Sequence, residues 1–458
     1  MASYDGDRVT SAATDRGSEL LARLDRIPIW ALPRTYLAII GLGYFFVFFD
    51  IADIGYALPA ITDQFGLTGS EGVFVAVAVG LVGYVVGSFT IGSLADRFGR
   101  YRMLIITMTL TAIGSFGDAA AQGLTSLIIF RFITGIGVGA DLNLVSTYVS
   151  ELAPAQVRGR TTVITFLVGI LGQTVTPFVA LALVPNFTYG WRLLFVIGGA
   201  IALLGLAART VLPESPRWEV LHGRFDGADR TVTRMEKACV ARGLQLPEPV
   251  DNTVTQVSAS WRALFAPPYT RRLIVLISMW FLWYIGNYGF LGDGTQLIND
   301  HGAPIAGSIL YMCIGAAGYP VGALVVIALV DKLERRIVIL SATVVWFVGM
   351  LLIGSFVNGA VISAGSFLAA VALGSYLQVA YTFTAESFPT RWRATGFALS
   401  DGIGHIGGAV GALLLPVVVR EWSFFGGFAT IAVTGLLAGL VALLGPRATG
   451  RRLEEISR

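Results

Sequence analysis

Apolar residues occur in twelve stretches of about 20 residues, which short polar and charged connections separate. A helix of about 20 residues crosses the hydrocarbon core of a bilayer, which is about 30 Å thick. The pattern therefore predicts twelve transmembrane helices, here called spans 1 to 12. Their predicted bounds are 36–60, 72–95, 103–121, 124–150, 161–184, 191–212, 271–296, 304–330, 337–356, 360–385, 394–418 and 424–445.

The composition favours a membrane protein over several soluble domains. Of the 458 residues, 55% are hydrophobic and 13% are charged, whereas soluble domains carry about 25% charged residues. The predicted fold class is all-α integral membrane, with the lipid bilayer as one partner. Cys239 and Cys313 lie in different kinds of segment and predict no disulfide framework.

One long polar segment follows span 6 and divides the chain into two sets of six spans. Before span 1, apolar residues share one face of an amphipathic stretch from Ser18 to Ile27, which predicts a helix on the inner membrane surface. The predicted domains are a cytoplasmic N-terminal tail with this helix at 1–35, a six-helix half at 36–212, a cytoplasmic helical linker at 213–270, a second six-helix half at 271–445 and a cytoplasmic tail at 446–458.

The distribution of Lys and Arg predicts the orientation of the spans. All but three of the 32 basic residues lie in the two tails or in connections on one side of the predicted membrane. The exceptions are Arg192 and Arg420 on the other side and Arg131 inside span 4. Because basic residues accumulate in cytoplasmic loops, both termini are expected in the cytoplasm and the spans in the cell (inner) membrane.

The two halves repeat each other at a constant offset of 235 residues. Matched pairs include Gly80 and Gly315, Gly83 and Gly318, Tyr84 and Tyr319, Gly87 and Gly322, Asp96 and Asp331, Arg100 and Arg335, Glu151 and Glu386, and Arg158 and Arg393. Two repeated halves around an axis along the membrane normal leave a cavity between them, which rocking opens to each side in turn. The glycines allow close helix contact, either at such a rocking surface or in simple packing.

Several motifs resemble a known family. The sequences GSLADRFGRYR at 92–102, RFITGIGVG at 131–139, YVSELAPAQVRGR at 148–160 and PESPRW at 213–218 resemble the major facilitator superfamily, in its sugar-porter and metabolite:proton symporter branches. The resemblance covers almost the whole chain. It implies the major facilitator fold, a secondary transporter rather than an enzyme, protons and a small molecule as partners, and no cofactor. A monomer is expected.

Span 7 departs from the pattern of glucose carriers, which counts against a hexose substrate. Glucose-type porters carry a Gln-Gln pair and an Asn in span 7, whereas the stretch here is WFLWYIGNYG at 280–289. The segments 23–28 and 49–54 resemble organic-acid and vitamin symporters. The step from Gly139 to Asp141 resembles phosphate:proton symporters, but Tyr284 stands where those carry an Asp in span 7.

Ionisable residues inside spans are costly and are therefore candidates for function. The proton-coupling candidates are Asp50, Asp53, Arg131, Asp141, Asp401 and His405. Depth favours Asp53 as the partner of Arg131, whereas the resemblance favours Asp50, which is our first choice. In one interpretation, the ion pair separates when the carboxylate takes up a proton and forms again when the proton leaves. In the other, the ion pair is static and only fixes the helix positions. Asp141 is a second proton site, a substrate contact or a solvated residue of the inward-facing cavity. Asp401 and His405 form a hydrogen-bonded pair or a packing contact.

The cytoplasmic ends of the spans carry charges that predict a gate. The candidates are Asp96, Arg97, Arg100, Glu151, Arg158, Glu214, Arg217, Asp331, Arg335, Glu386 and Arg393. We expect the charges of the 2–3 connection to pair with Glu386 and Arg393 of the other half, and those of the 8–9 connection to pair with Glu151 and Arg158. Such pairs would lock the outward-facing state. The alternative is that these charges serve topology alone.

Polar and aromatic residues near the middle of the spans are the substrate candidates. These are Gln173, Trp283, Tyr284, Asn287, Tyr288, Tyr376 and Gln378. Aromatic walls with a few hydrogen-bonding groups are typical of small-ligand pockets, although such residues also serve helix contacts. No metal-ligand spacing, catalytic triad or nucleic-acid motif occurs in the sequence.

The predicted function is proton-coupled symport of a small polar metabolite, an organic acid or a sugar-like compound, by alternating access. One alternative is a uniporter or exporter on the same fold. A membrane sensor that transports nothing is the alternative from another class.

Overall fold

The computed structural model describes residues 15–67, 71–72, 77–154, 156–249, 264–267, 269–329, 333–388 and 393–447. Within these ranges, the side chains of Ser93, Arg158, Arg160, Val163, Arg393 and Ala394 are not described. Asp331 and most of the C-terminal tail lie outside the described residues, as do the side chains of two further gate candidates, Arg158 and Arg393.

Helices make up most of the described chain. A first helix, α1, covers residues 15–25. The N-terminal half contains α2 (Arg34–Phe65), α3 (Val79–Phe98), α4 (Arg100–Ala120), α5 (Leu124–Leu152), α6 (Arg158–Leu183) and α7 (Gly190–Arg209). The linker contains α8 (Pro216–Leu221) and α9 (Phe225–Val240). The C-terminal half contains α10 (Tyr269–Asp300), α11 (Ile305–Ala316), α12 (Gly318–Leu329), α13 (Arg335–Ser355), α14 (Gly359–Glu386), α15 (Arg393–Glu421) and α16 (Phe424–Ala442).

The twelve predicted spans are confirmed. In the described part of the chain, 12 helical segments are long and apolar enough to cross a membrane. Span 8 is the pair α11 and α12, which a turn at Ala317 separates. Helices α2 and α10 are each 32 residues long and extend past the predicted apolar runs, because a helix can continue into the interface where side chains reach water.

Local sequence signals set several helix ends. The side-chain oxygen of Asn358 accepts a hydrogen bond from the backbone N–H of Val361 (3.0 Å) and begins α14. Ser423 caps α16 in the same way through the N–H of Gly426 (2.9 Å). Gly99 has a φ of 103° and separates α3 from α4. Such a conformation suits glycine, because other residues strain there.

The internal repeat is visible in the packing of each half. A Cβ atom on Gly83 would meet the backbone oxygen of Phe132 on α5, and one on Gly318 would meet that of Phe367 on α14. Both pairs keep the offset of 235 residues. These glycines therefore bring helices of one half together, so their close contacts are packing contacts rather than a surface between the halves.

The halves contact each other toward the C-terminal ends of α2 and α10. A Cβ atom on Gly55 would meet the backbone oxygen of Leu291. Closer to these ends, the hydroxyl of Thr62 donates to Oε1 of Gln296 (3.3 Å). The backbones of α2 and α10 thus approach closely on one side of the cavity between the halves.

Helix α1 packs on the protein, which corrects the prediction of a helix on the membrane surface. Leu20, Leu24 and Ile27 are buried in the protein core. Arg23 donates to Asp229 (2.8 Å) and Glu236 (2.7 Å) of α9. An apolar face gains as much from covering protein as from covering lipid, and these ion pairs fix α1 on the linker helices.

Low pH and substitution of Arg23 are both expected to weaken the packing of α1 on α9. Partial burial acts to raise the pKa of Glu236, but hydrogen bonds from Arg23 and Arg26 hold this pKa below its usual value. Stabilisation by such a carboxylate is complete above the pKa of the unfolded chain, near 4.5, and is lost as the pH falls through the lower folded value. Arg23→Gln should lower the stability of α1 by about 1–2 kcal/mol at neutral pH.

Protection factors from amide hydrogen exchange at residues 15–25 measure this effect. Lys237→Gln is the matched control, because Lys237 is an exposed residue of the same helix as Glu236. Equal protection in both variants would contradict the role of Arg23.

Candidate proton and substrate sites

Arg131 lies among three buried carboxylates in the N-terminal half. Its guanidinium is 3.3 Å from Asp118 of α4, 3.6 Å from Asp50 and 4.0 Å from Asp53 of α2. Thr134 donates a hydrogen bond to Asp118 (3.2 Å). Asp118 is therefore the best-bonded carboxylate of this group, which we call the Arg131 cluster (Asp50, Asp53, Asp118 and Arg131).

The Arg131 cluster carries more acids than bases. All four side chains are buried, and three ionised carboxylates beside one guanidinium would leave a net charge of about −2 in a low-dielectric site. Neither carboxylate oxygen of Asp53 has a hydrogen-bond partner among the described residues. Protonation of one carboxyl halves this excess charge and protonation of two removes it, so the arrangement is chemically suited to binding protons.

Three of these four residues are predicted from the sequence. Arg131 is predicted to face Asp50 or Asp53, and both lie near its guanidinium. Asp118 is not among the predicted residues, although this acid lies inside the predicted span 3. An ionisable residue within a predicted span was the available signal.

A small cavity of about 40 Å³ adjoins the Arg131 cluster, and both Asp50 and Arg131 line it. A second cavity, of about 20 Å³, lies between the halves. Ile51 and Tyr288 border both cavities. Each volume is close to that of one or a few water molecules, so the halves are nearly closed around the centre.

Four of the seven substrate candidates line the second cavity. These are Gln173, Tyr284, Asn287 and Tyr288. The carbonyl oxygens of Gln173 and Asn287 are buried without a hydrogen-bond partner in the described chain. Apolar side chains form the rest of its wall, together with Tyr381 and His405. These are Phe48, Ile51, Leu142, Leu291, Leu373 and Leu377.

The other three substrate candidates are not among the residues that line this cavity. Trp283 stacks on Tyr376 with ring centroids 3.7 Å apart and also packs against Trp346 of α13. These rings thus belong to the packing of the C-terminal half. Gln378 is buried, and neither atom of its amide has a partner among the residues described.

Asp401 and His405 of α15 form a buried group with tyrosines from both halves. The carboxylate of Asp401 accepts hydrogen bonds from Tyr284 (2.7 Å) and from Tyr84 of α3 (3.4 Å). Nδ1 of His405 lies 2.8 Å from the backbone oxygen of Asp401 and 3.5 Å from its carboxylate. The two side chains therefore lie close together, and the hydrogen bond of Nδ1 is to the backbone oxygen of Asp401 rather than to its carboxylate.

Asp141 is buried in an ion pair rather than solvated. Nη2 of Arg209 donates to its Oδ2 (2.8 Å), and Thr107 donates to its Oδ1 (2.6 Å). The sequence pattern places Arg209 among the cytoplasmic charges and so does not predict it as the partner of Asp141. The alternative of a solvated Asp141 is wrong, because both charged groups are buried.

Among the described side chains, Arg100 and Arg335 each pair with a glutamate of their own half, whereas the sequence pattern predicts pairs between the halves. Glu151 accepts hydrogen bonds from Arg100 at Nε (3.0 Å) and Nη2 (2.9 Å). Glu386 accepts from Arg335 at the same two nitrogens (3.4 and 3.5 Å). The repeat offset relates these pairs, so each half uses its own copy of the same contact.

Three of the remaining gate candidates contact the linker or the connection between α3 and α4. Glu214 accepts from the backbone N–H groups of Arg100 (2.9 Å) and Tyr101 (3.1 Å), where a carboxylate stabilises the N-terminus of α4. Arg217 pairs with Asp25, and Asp96 pairs with Arg100 (2.8 Å). Arg97 is exposed.

A further buried acid was missed in span 7. Asp293 of α10 is buried, and neither of its carboxylate oxygens has a hydrogen-bond partner in the part of the chain that the structure describes. It lies within the predicted bounds 271–296, so the signal that applied to Asp118 was available here as well.

Comparison with known proteins identifies the family. The model of the family described as "Sugar (and other) transporter" matches residues 36–458. The niacin transporter NiaP of Acinetobacter baylyi is 29% identical over 452 residues, which cover 96% of this chain and 99% of that protein. The arabinose-proton symporter of Bacillus subtilis is 27% identical over 435 residues, covering 91% and 93%.

A solved structure shows the same fold. The proton:xylose symporter XylE of E. coli, bound to 6-bromo-6-deoxy-D-glucose, matches with a TM-score of 0.73 and 22% identity, covering 92% of this chain and 98% of that one. The expected major facilitator fold is therefore confirmed. With its twelve apolar helices and a family match over residues 36–458, the chain belongs to the family of sugar and other transporters and has the major facilitator fold.

Proposed function

We propose that this transporter is a proton-coupled symporter that imports a small organic acid with a flat ring. The observation that carries the proposal is the Arg131 cluster, in which three buried carboxylates surround one guanidinium. An excess of buried acids over bases provides a site that can hold a proton within the membrane. The name of the arabinose-proton symporter supports the same coupling.

In the proposed cycle, Asp50 takes up the transported proton. Asp118 has the closest contact to Arg131 and a further hydrogen bond from Thr134, so it remains the counter-ion. Asp50 lies at the wall of the adjoining cavity and has longer contacts, 3.6 Å to Arg131 and 3.5 Å from the hydroxyl of Ser115. A group at the wall with weak contacts can exchange its proton when the cavity opens.

The lining of the cavity between the halves supports a ring-shaped substrate with few polar groups, which would enter once the halves move apart and enlarge the present volume of about 20 Å³. Six of its twelve lining residues are aliphatic or Phe, and three are Tyr. A sugar has hydroxyls on all sides, and several would lie unpaired against such walls. A flat ring would pack against these walls, and the amide N–H groups of Gln173 and Asn287, which line the cavity, would donate to its carboxylate. The name of the niacin transporter supports this class.

We also propose the inner membrane as the location, with both termini in the cytoplasm and the domain bounds given above. The distribution of Lys and Arg supports this orientation. The pairs Arg100–Glu151 and Arg335–Glu386 would then lie at the cytoplasmic ends of the two halves. Their proposed role is to keep each half rigid while the halves rock.

Uphill transport into proteoliposomes tests the coupling. With an imposed gradient of 1 pH unit, one proton per substrate gives about tenfold accumulation of radiolabelled nicotinate. Asp50→Asn should reduce this ratio to about one and leave nicotinate exchange across the membrane intact. Benzoate, xylose, arabinose and phosphate are tested in parallel, beside liposomes without protein, because a neutral aromatic acid can itself carry protons through lipid.

Asp63→Asn is the matched control, since Asp63 is an exposed acid of the same helix. Uptake of a substrate without any proton flux in the wild type would sink the symport proposal and favour a uniporter. Uptake of a sugar but not of any aromatic acid would overturn the substrate class. No transport of any compound would favour the sensor.

A further inference from the structure

A second buried acid–base group lies where the two halves meet, and the proposed function does not use it. Asp401 and His405 both belong to α15 of the C-terminal half, whereas Tyr84 belongs to α3 of the N-terminal half. Tyr84 donates to the carboxylate of Asp401 (3.4 Å). Its ring also stacks on His405 with centroids 3.8 Å apart and an interplanar angle of 17°.

The groups that face this pair are mostly tyrosines. Tyr84 faces it from α3, Tyr284 and Tyr288 from α10 and Tyr381 from α14. In the described chain, neither Arg nor Lys forms an ion pair with Asp401, whose only basic partner is His405. With one proton the pair is neutral, and without it a single negative charge remains buried.

The pair also lies beside both central cavities. His405 lines the cavity between the halves, and Tyr84 lines the cavity of the Arg131 cluster. Nδ1 of His405 is occupied by the backbone oxygen of Asp401, while the structure shows no hydrogen bond to Nε2 from the residues it describes. Nε2 is therefore the imidazole nitrogen left available to a proton, and His405 lies at the wall of a cavity between the halves.

We propose that Asp401 and His405 form a second proton-binding site, in the C-terminal half, which exchanges its proton when Tyr84 moves away. While the halves touch, Tyr84 and Tyr284 cover the two faces of the imidazole. When rocking removes Tyr84, water reaches the carboxylate and the imidazole. The N–H or O–H bond that holds the proton then breaks. The bonding electrons stay on the nitrogen of His405 or the oxygen of Asp401, and a water molecule accepts the proton.

Nuclear magnetic resonance of the histidine side chains tests this site without any substrate. The chain has only 3 histidines, and the signal that is lost in His405→Asn identifies His405 in the full-length protein in lipid nanodiscs. We expect this signal to change with pH in a single step, because the two side chains share one proton. In Asp401→Asn, loss of the negative partner should lower the proton affinity of His405 by about tenfold or more.

Two further variants keep the test specific. Tyr84→Phe retains the stacked ring but removes the donor to Asp401, so the anionic form loses support and the proton affinity of the pair should rise about threefold or more. Asp63→Asn removes an exposed acid of α2 and should leave the titration unchanged. A His405 signal that does not titrate, or that titrates alike in wild type and Asp401→Asn, would overturn the proposal. Since neither Asp50 nor a substrate enters this measurement, its failure is distinct from a failure of the proposed symport.

Discussion

Replacing Arg131 by methionine is expected to lower the free energy of unfolding by about 3–5 kcal/mol and to abolish uphill transport. Methionine keeps much of the side-chain length but removes the cation that three buried carboxylates share. Removing one partner of a buried ion pair leaves an uncompensated charge, which is the origin of the large effect. Reversible unfolding in mixed micelles measures the stability, and accumulation of nicotinate measures the transport.

A second substitution separates the two effects of Arg131→Met. Adding Asp118→Asn removes one of the unpaired charges and should recover part of the stability, while uphill transport stays lost because the switch has no cation. Arg420→Met is the control, since Arg420 is exposed near the end of α15. An Arg131→Met protein as stable as wild type would show that the carboxylates are all neutral and that the cluster holds no ion pair.

The second large effect is expected at the pair of Arg209 and Asp141. Arg209→Met and Asp141→Leu should each cost about 3–5 kcal/mol, because each leaves the other charge buried without a partner. The double variant replaces both by apolar groups and should come within about 2 kcal/mol of wild type. The difference between these results is the coupling energy of a double-mutant cycle.

Transport by the double variant then decides what Asp141 does. We expect coupled uptake to survive, because the guanidinium lies against Gly43 of α2 and donates to the backbone oxygen of Leu104 on α4 (2.9 Å), where it joins helices of one half. Loss of proton coupling in a stable double variant would contradict this structural role and would restore Asp141 as a second proton site. Unfolding energies unchanged in both single variants would show that the pair contributes nothing.

The transmembrane architecture could be predicted from sequence because the bilayer allows few solutions. An apolar run of about 20 residues has one stable form in lipid, and the duplication at a fixed offset doubles the evidence for each span. The same reasoning is weaker at the ends of the spans. The count of basic residues includes Arg209 with the cytoplasmic charges, whereas the structure buries Arg209 beside Asp141.

The partners of the gate charges could not be predicted, for a reason of symmetry. The repeat relates Arg100 to Arg335 and Glu151 to Glu386, so pairing within each half and pairing between halves satisfy the sequence pattern equally well. Only the three-dimensional arrangement distinguishes them. The surface covered by α1 was undetermined in a similar way, because an apolar face does not specify whether lipid or protein covers it.

The close approach of Gly55 to the backbone of Leu291 divides α2 into a short and a long arm. Counted along the helix at 1.5 Å per residue, about 15 Å separate Gly55 from the C-terminal end at Phe65, and about 30 Å separate it from the N-terminal end at Arg34. If the halves turn about this contact, a given angle displaces the long arm about twice as far as the short one. A small movement at the end with Phe65 then produces a wider opening at the end with Arg34, as in a lever with unequal arms.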